Sequence, residues 1–351
     1  RTFMGPFALG EQCMAVYKEA VDPSYRDAKL SEYRSELRAT GMSEAVLSDG
    51  GVLVQTDQAT GILEKVYNIG QVARLCKPNP IGPNSNGITF NVDAETSRAD
   101  GSRRGGIRGY WTGEAGTMTA SKSTFRKVRL DLDKITALVY VTDEQLQDIP
   151  FLNSYLNRIV PEELMFKLED GVINGSGAGM PQGIIGADCT VNIAKETGQA
   201  ATTVVYENII KMWARCYARS RGNAVWLINQ DVEPQLDMLS MAVGTGGLEP
   251  RYIAYGPDGV LRIKVRPVLS VEYCATLGTV GDILLADFSE YNVIDKGGVQ
   301  SASSIHVQFL TNETAFRFIY RVNGAPWWVA ALTPKNGTNT VSPFIKLATR
   351  S

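Results

Sequence analysis

Histidine is almost missing from this chain of 351 residues: His306 is the only one. The five cysteines, Cys13, Cys76, Cys189, Cys216 and Cys274, are odd in number, far apart and without a Cys-x-x-Cys pair. A zinc cage or a disulfide framework needs clustered ligands or paired thiols, so no metal site and no cofactor is expected. No apolar run approaches the ~18 residues of a membrane-crossing helix, and Arg1-Thr2-Phe3-Met4 does not open a signal peptide. No membrane partner is expected. A field of one sign is absent too: 35 Lys and Arg face 37 Asp and Glu, a formal charge of -2. No global basic surface therefore gathers nucleic acid by releasing its counterions.

What remains is the composition of a folded protein, 44% apolar and 21% charged, long enough for two domains of roughly 100–200 residues each. Residues 1–50 mix short helical pieces with Pro6, Pro23, Gly41 and charges of both signs, which suits an arm lying on something else. Val52–Val54, Ile62–Val66 and Ile88–Val92 read as strands of a first core. Residues 93–129 hold few aliphatics and eight basic residues: Arg98, Arg103, Arg104, Arg108, Lys122, Arg126, Lys127 and Arg129. A structureless loop of that length is improbable, so the pattern predicts a two-stranded hairpin arm with a mobile tip near Arg98–Arg108.

Residues 128–141 alternate as a half-buried strand, with Val128, Leu130, Leu132 and then Ile135, Leu138 and Tyr140 as its apolar positions. Thr142-Asp143-Glu144-Gln145 forms a capping box. The helix it opens carries Leu152, Leu156, Ile159, Leu164, Leu168 and Val172 to Asn174-Gly175, with a kink or break predicted near Arg158 because of Pro161. A second, α/β domain follows. It has a helix over Val205–Ser220 with Ile209, Trp213, Cys216 and Tyr217 buried, a strand Ala224–Ile228 and a helix Asp231–Met241. A strand Val260–Val265 and the apolar run Asp282–Phe288 complete it. From Ser301 the pattern returns to strands, Ile305–Phe309 and Ala315–Val322, expected to rejoin the first sheet.

None of the chemistry-bearing motifs survives inspection as a catalytic residue. Gly175-Ser176-Gly177-Ala178-Gly179 follows a helix and precedes Met180-Pro181, the wrong context for a phosphate-cradling loop, and reads as a turn. Gly244–Gly247 reads as a surface loop for the same reason. His306 lies in an alternating strand, as a packed or surface residue would. Asp282 and Asp287 flank an apolar run and read as solvated strand ends or caps. The basic loop could meet nucleic acid, but Tyr110, Trp111 and Phe125 alone make no stacking platform, and a protein partner fits equally well.

Several segments in order resemble the major capsid proteins of tailed bacteriophages, the family with the Hong Kong 97-type fold. They are Trp111-Thr112-Gly113-Glu114 and the strand after it, Val141–Asp148, Asp170–Gly177 with Pro181–Ile184, Gly281–Tyr291, Thr311–Arg317 and Arg321–Gly324. The resemblance implies an α+β fold. Its parts would be an N-terminal arm (1–50), a peripheral domain (51–92, 130–200 and 301–333) with an extended β-hairpin loop (93–129) and a spine helix (142–174), an axial domain (201–300) and a C-terminal tail (334–351).

It also implies a structural subunit of the virion, not an enzyme, self-assembling in the bacterial host cytoplasm into pentamers and hexamers. These would close an icosahedral shell around packaged double-stranded DNA that is not bound sequence-specifically. Portal and decoration proteins would be further partners. On this reading Arg98, Arg103, Arg104, Arg108 and Glu114 are expected at intersubunit contacts, and Trp111 as an apolar anchor at the base of the loop. Arg1 is expected at a proteolytic maturation point. One branch of the family joins subunits by a Lys–Asn isopeptide bond; between Trp111 and Thr119 there is no Lys, so no cross-link is expected. Rival readings are an encapsulin-type compartment, disfavoured by the long irregular arm, and an α/β enzyme.

Overall fold

The computed structural model describes residues 70–143, 146, 152–243, 247–250, 253–255 and 259–350, with isolated helical or adjoining positions Met14, Tyr17, Lys18, Val21, Asp22 and Ala28. Arg1, the rest of the expected arm, the strands expected at Val52–Val54 and Ile62–Val66, and Gln145 of the capping box lie outside the described residues. The chain divides into Arg1–Val66 and Tyr67–Ser351; the second unit is the one whose architecture follows.

In chain order its elements are β1 (Lys77–Pro80), β2 (Gly87–Asp93), β3 (Phe125–Asp131), β4 (Asp133–Thr142), α1 (Leu152–Asn174), β5 (Val191–Ile193) and α2 (Tyr206–Arg215). Next come β6 (Val225–Ile228), α3 (Glu233–Asp237), β7 (Ser240–Val243), β8 (Gly247–Pro250), β9 (Ile253–Tyr255), β10 (Leu261–Ile263) and β11 (Arg266–Ser270). The last are β12 (Ile283–Ala286), β13 (Tyr291–Gln308), β14 (Glu313–Pro326) and β15 (Phe344–Leu347). Two main sheets result, ordered β1-β13-β14-β4 and β5-β15-β12-β6-β11-β10-β9, beside the ribbons β2-β3 and β7-β8.

One helix joins the two sheets. The first half of α1 lays Val160 and Leu164 on Val141, Phe316 and Phe318 of the four-stranded sheet, and its second half lays Leu168, Val172 and Ile173 on Leu227, Leu284 and Phe344 of the seven-stranded one. The opposite face of the larger sheet, with Trp226, Ile228, Ile283, Leu285 and Ile345, is covered by Ile209 and Met212 of α2 and Leu236 of α3. Coverage on both faces is why β6 and β12 are apolar at every position and buried throughout. Pro161 lies inside an α1 that runs unbroken from Leu152 to Asn174, so the expected division into two helices is not found.

Several boundaries move for tertiary reasons. The single strand expected over 128–141 is two: β3 pairs with β2, β4 pairs with β14, and Leu132 lies between them. Within β4 it is Ile135, Ala137, Val139 and Val141 that face the helix, whereas Leu138 and Tyr140 point outward and are exposed. Helix α2 ends at Arg215, leaving Trp213 and Tyr217 half-buried and Met212 in the core instead. Met241 belongs to β7 and not to a long helix, because β7 pairs with β8. Lys264 and Val265, at φ 52° and 67°, form the two-residue turn between β10 and β11, which splits the strand expected through Val265.

The return to the four-stranded sheet begins at Tyr291, ahead of Ser301. The segment 334–351, expected as a tail, supplies β15 to the larger sheet between β5 and β12, and Arg350 after it is fully buried. Asp287 caps the short turn at Phe288–Glu290 by accepting the Ser289 N–H at 3.1 Å, but it is buried and not solvated. Asp282 is buried as well, paired with Arg350.

The glycine run after α1 is a tight reversal: Gly183 N–H donates to Gly175 O at 2.9 Å, and Gly177 and Gly179 take φ 77° and 69°. A Cβ on Gly175 would collide with Pro181 O and Gly171 O. Gly175→Ala is therefore expected to lower stability by about 2 kcal/mol, measured as a shift of the urea midpoint of the purified subunit; an unchanged midpoint would show that the turn relaxes freely.

Candidate functional site

The long excursion between β2 and β3 starts from an antiparallel ribbon in register from Gly87↔Asp131 to Asp93↔Phe125. Past that stem it stops being a hairpin. Residues 95–108 fold into a compact knot pinned at both sides. Arg98 N–H donates to Thr333 O at 2.8 Å and Thr333 N–H to Thr96 O at 3.0 Å, tying the knot to the chain after β14. Arg103 and Ile107 exchange two backbone hydrogen bonds of 2.8 Å around a turn in which Arg104, Gly105 and Gly106 all have positive φ. A side chain on Gly105 would strike Thr124 O, and one on Gly106 would strike Lys122 O, so only glycine lets this turn lie on the returning strand.

This changes the expected geography of the loop. Arg98–Arg108 is an anchored base, and the outlying part is 109–120, exposed at every residue. Among the described residues its backbone is hydrogen-bonded only to itself, Gly116 N–H to Gly113 O at 3.0 Å. Trp111 stands midway along the excursion, not at its base, and is as exposed as a free side chain (105%); Met118 is 88% exposed.

The four arginines part company in the same way. Arg98 makes a two-point bond to Glu95, Nε to Oε1 at 2.7 Å and Nη2 to Oε2 at 3.2 Å, which holds that carboxyl below its ordinary range. Its guanidinium also sits 5.9 Å from the Tyr217 ring centre. Arg108 is bonded to Asp100 within the loop. Arg103 and Arg104 have no side-chain hydrogen bond or ion pair among the described residues.

Those two open into a cleft of about 600 Å³ between the knot, the end of α2 and the chain after β14. Arg126 and Arg219 join them on its walls, likewise without a side-chain partner among the described residues. Tyr217, Trp327 and Trp328 form an aromatic side: Tyr217 meets Trp328 edge-on at 5.3 Å, and the two tryptophans lie 5.7 Å apart. Glu290 is occupied there, accepting both indole N–H groups, from Trp328 at 3.1 Å and from Trp327. Sequence reasoning singled out neither Arg219 nor the aromatic side. The Trp327-Trp328 doublet was its only visible sign.

Among the described residues no group of His, Cys, Asp and Glu could hold a metal, and no helix is long and apolar enough to cross a membrane. Cys76, Cys189 and Cys216 are buried, and burial pushes each thiol up to about 12, far from the thiolate a nucleophile requires. His306 is exposed on β13.

The loop is thus anchored at its base and exposes Trp111 and Met118 beyond it. The model of the phage capsid family matches residues 50–336. The chain belongs to that family. It is a capsid subunit, a structural protein with a mixed helix and sheet fold. Solved phage-capsid structures share the fold at low identity. The capsid of a native GTA particle computed with C5 symmetry is 15% identical, with 88% of this chain and 99% of that one covered and a TM-score of 0.66. A chain of Microbacterium phage Oxtober96 is 15% identical, covering 88% and 99%, with a TM-score of 0.61. One of Mycobacterium phage Adephagia is 13% identical, covering 87% and 98%, also at 0.61. No curated protein matches the sequence.

Proposed function

We propose that this capsid subunit closes, in pentamers and hexamers, an icosahedral shell around double-stranded DNA, and that the loop between β2 and β3 is its arm onto a neighbouring subunit. The observation that carries the reading is the outlying segment 109–120, whose Trp111, Tyr110 and Met118 are solvent-exposed while its base is pinned to the body. An apolar end held out on a fixed stalk is costly in a lone monomer and useful in a lattice. Trp111, Glu114, Arg103 and Arg104 are the intersubunit residues on this reading. Arg98 and Arg108 act as braces that hold the loop base. Many modest contacts repeated by symmetry make such a shell stable without strong pairwise affinity. A near-neutral chain confines DNA without gripping it. Portal and decoration proteins would complete the virion.

Electron microscopy of the purified protein tests this directly. Closed shells are expected, with DNA inside those taken from infected cells; small discrete particles would overturn the reading, and shells filled with protein cargo would point to a compartment instead. Trp111→Ala is expected to leave the subunit's unfolding midpoint unchanged, since the side chain is fully exposed, and to lower shell yield on the order of tenfold. Equal yields of shells from variant and parent would remove Trp111 from the interface.

A further inference from the structure

We infer that the arginine-walled cleft at the base of the loop is the seat for the outlying loop segment of a second copy of the chain. That copy's Glu114 would lie among Arg103, Arg104, Arg126 and Arg219, and its Trp111 against Tyr217, Trp327 and Trp328. The inference rests on the shell reading above and names the surface on which the arm lands.

The cations of the cleft outnumber its carboxylates: Arg98, Arg103, Arg104, Arg126 and Arg219 stand against Asp93, Glu95 and Glu290. Arg98 is satisfied by Glu95, and Glu290 is taken up by two indoles. Glu95, engaged by Arg98, also feels the charge of Arg103, so of the carboxylates on the walls only Asp93 is left to face Arg104, Arg126 and Arg219, whose guanidiniums have no side-chain partner among the described residues. Like charges gathered around one hollow repel each other until an anion enters, and guanidinium is the cation best shaped to take a carboxylate by two parallel bonds. Beside those charges stands an aromatic wall that is half-buried and open to the cleft.

The occupant must then pair a carboxylate with a large apolar ring, and the chain itself exposes such a pair. Between Gly109 and Ser121 there is one charged residue, Glu114, three positions from Trp111. Both are exposed, and neither has a hydrogen bond or ion pair to its side chain among the described residues. A cleft of about 600 Å³ is large enough for an indole and a carboxylate side chain together. Because seat and arm are different surfaces of one chain, the contact is head-to-tail, and repeated by rotation it closes rings. Each copy gives one arm and receives one.

The test pairs a cross-link with a charge exchange in assembled particles. A Glu114→Cys, Arg219→Cys double variant treated with a short bismaleimide is expected to run as a ladder of linked multimers, and each single variant as monomer; the singles also account for native thiols. Glu114→Arg is expected to lower shell yield at least tenfold, and adding Arg103→Glu and Arg219→Glu to restore it to within threefold of the parent. Shells without a ladder, or a parental yield from Glu114→Arg, would overturn the seat while leaving the shell reading intact. Absence of shells from the parent protein would remove both. Stabilisation of the unassembled subunit by inorganic phosphate, with shell yield indifferent to Glu114→Arg, would assign the cleft to a free anion and also overturn the inference.

Discussion

Replacing Arg350 by methionine is expected to lower the stability of the folded subunit by about 3–5 kcal/mol. Its guanidinium and the Asp282 carboxylate are both fully enclosed, with side-chain exposures of 0%. Nη1 lies 3.2 Å from Oδ1 and Nη2 is bonded to Oδ2. Two further donors are used: Nε reaches Thr203 O at 2.6 Å and Nη1 reaches Ala348 O at 3.1 Å. Asp282 accepts a further bond from Gly278 N–H at 3.0 Å.

A buried pair this well satisfied stabilises little compared with an apolar pair of the same shape, because both ions had to leave water. Removing one partner is different, since a bare carboxylate is left in the sheet's interior. The pair also holds β15 in place: Arg350 N–H donates to Gly278 O at 2.9 Å, and Thr202 N–H to Arg350 O at 2.8 Å. Urea denaturation should therefore show a large drop for Arg350→Met and recovery of at least half of it in Arg350→Met with Asp282→Asn. A single variant within 1 kcal/mol of the parent would mean that water reaches the carboxylate.

Glu169→Leu is the second substitution with a large expected loss, about 4 kcal/mol, with Glu169→Gln losing about 2. Glu169 lies on the inner side of α1, buried among Leu168, Val172 and Ile173. Its Oε1 accepts Val72 N–H at 2.8 Å and Ala73 N–H at 2.7 Å; its Oε2 accepts Gly70 N–H at 3.2 Å and the Tyr273 hydroxyl at 3.0 Å. One carboxylate thus fastens the entering chain to α1 and α1 to the segment after β11. Burial, and then the charge of Glu169, push the Tyr273 hydroxyl well above its ordinary range, so it stays a donor. Leucine would leave four donors without an acceptor; glutamine keeps one acceptor oxygen but brings two donors of its own. The two variants should separate in thermal unfolding in that order. Equal losses would show that packing, not the acceptors, sets the cost.

Neither group announces itself in the sequence. Glu169 sits in a helix of mixed composition, where a glutamate reads as solvated, and only the backbone of residues 70–73, distant in the chain, turns it into a clamp. Arg350 and Asp282 are separated by most of the last sheet's construction, and a carboxylate before an apolar strand is ordinarily a solvated end. The loop shows the same limit. Its basic residues and its glycines were visible, but which arginines are spent inside the chain depends on Glu95 and Asp100, and which remain depends on Arg219 and the two tryptophans being carried to the same hollow. The wrong parity at Leu138 and Tyr140 has a related cause: both faces of β4 carry apolar residues, and only the helix lying on one of them decides which is core.

By itself, the sequence determined the family and the class of fold. Scarce histidine, scattered cysteine and balanced charge lowered the expectation of a metal site or a disulfide framework, and the ordered motifs from Trp111 to Gly324 pointed to a capsid fold. Composition and local pattern act on neighbouring residues, so they sufficed for that much and for strands such as β6 and β12. Tertiary structure decided everything that depends on residues far apart in the chain meeting. It inserted β15 into the larger sheet, enclosed Arg350 with Asp282, pinned Arg98 and freed Trp111. It also gathered more arginines than carboxylates around one cleft, because long-range packing alone determines which charges find partners at home.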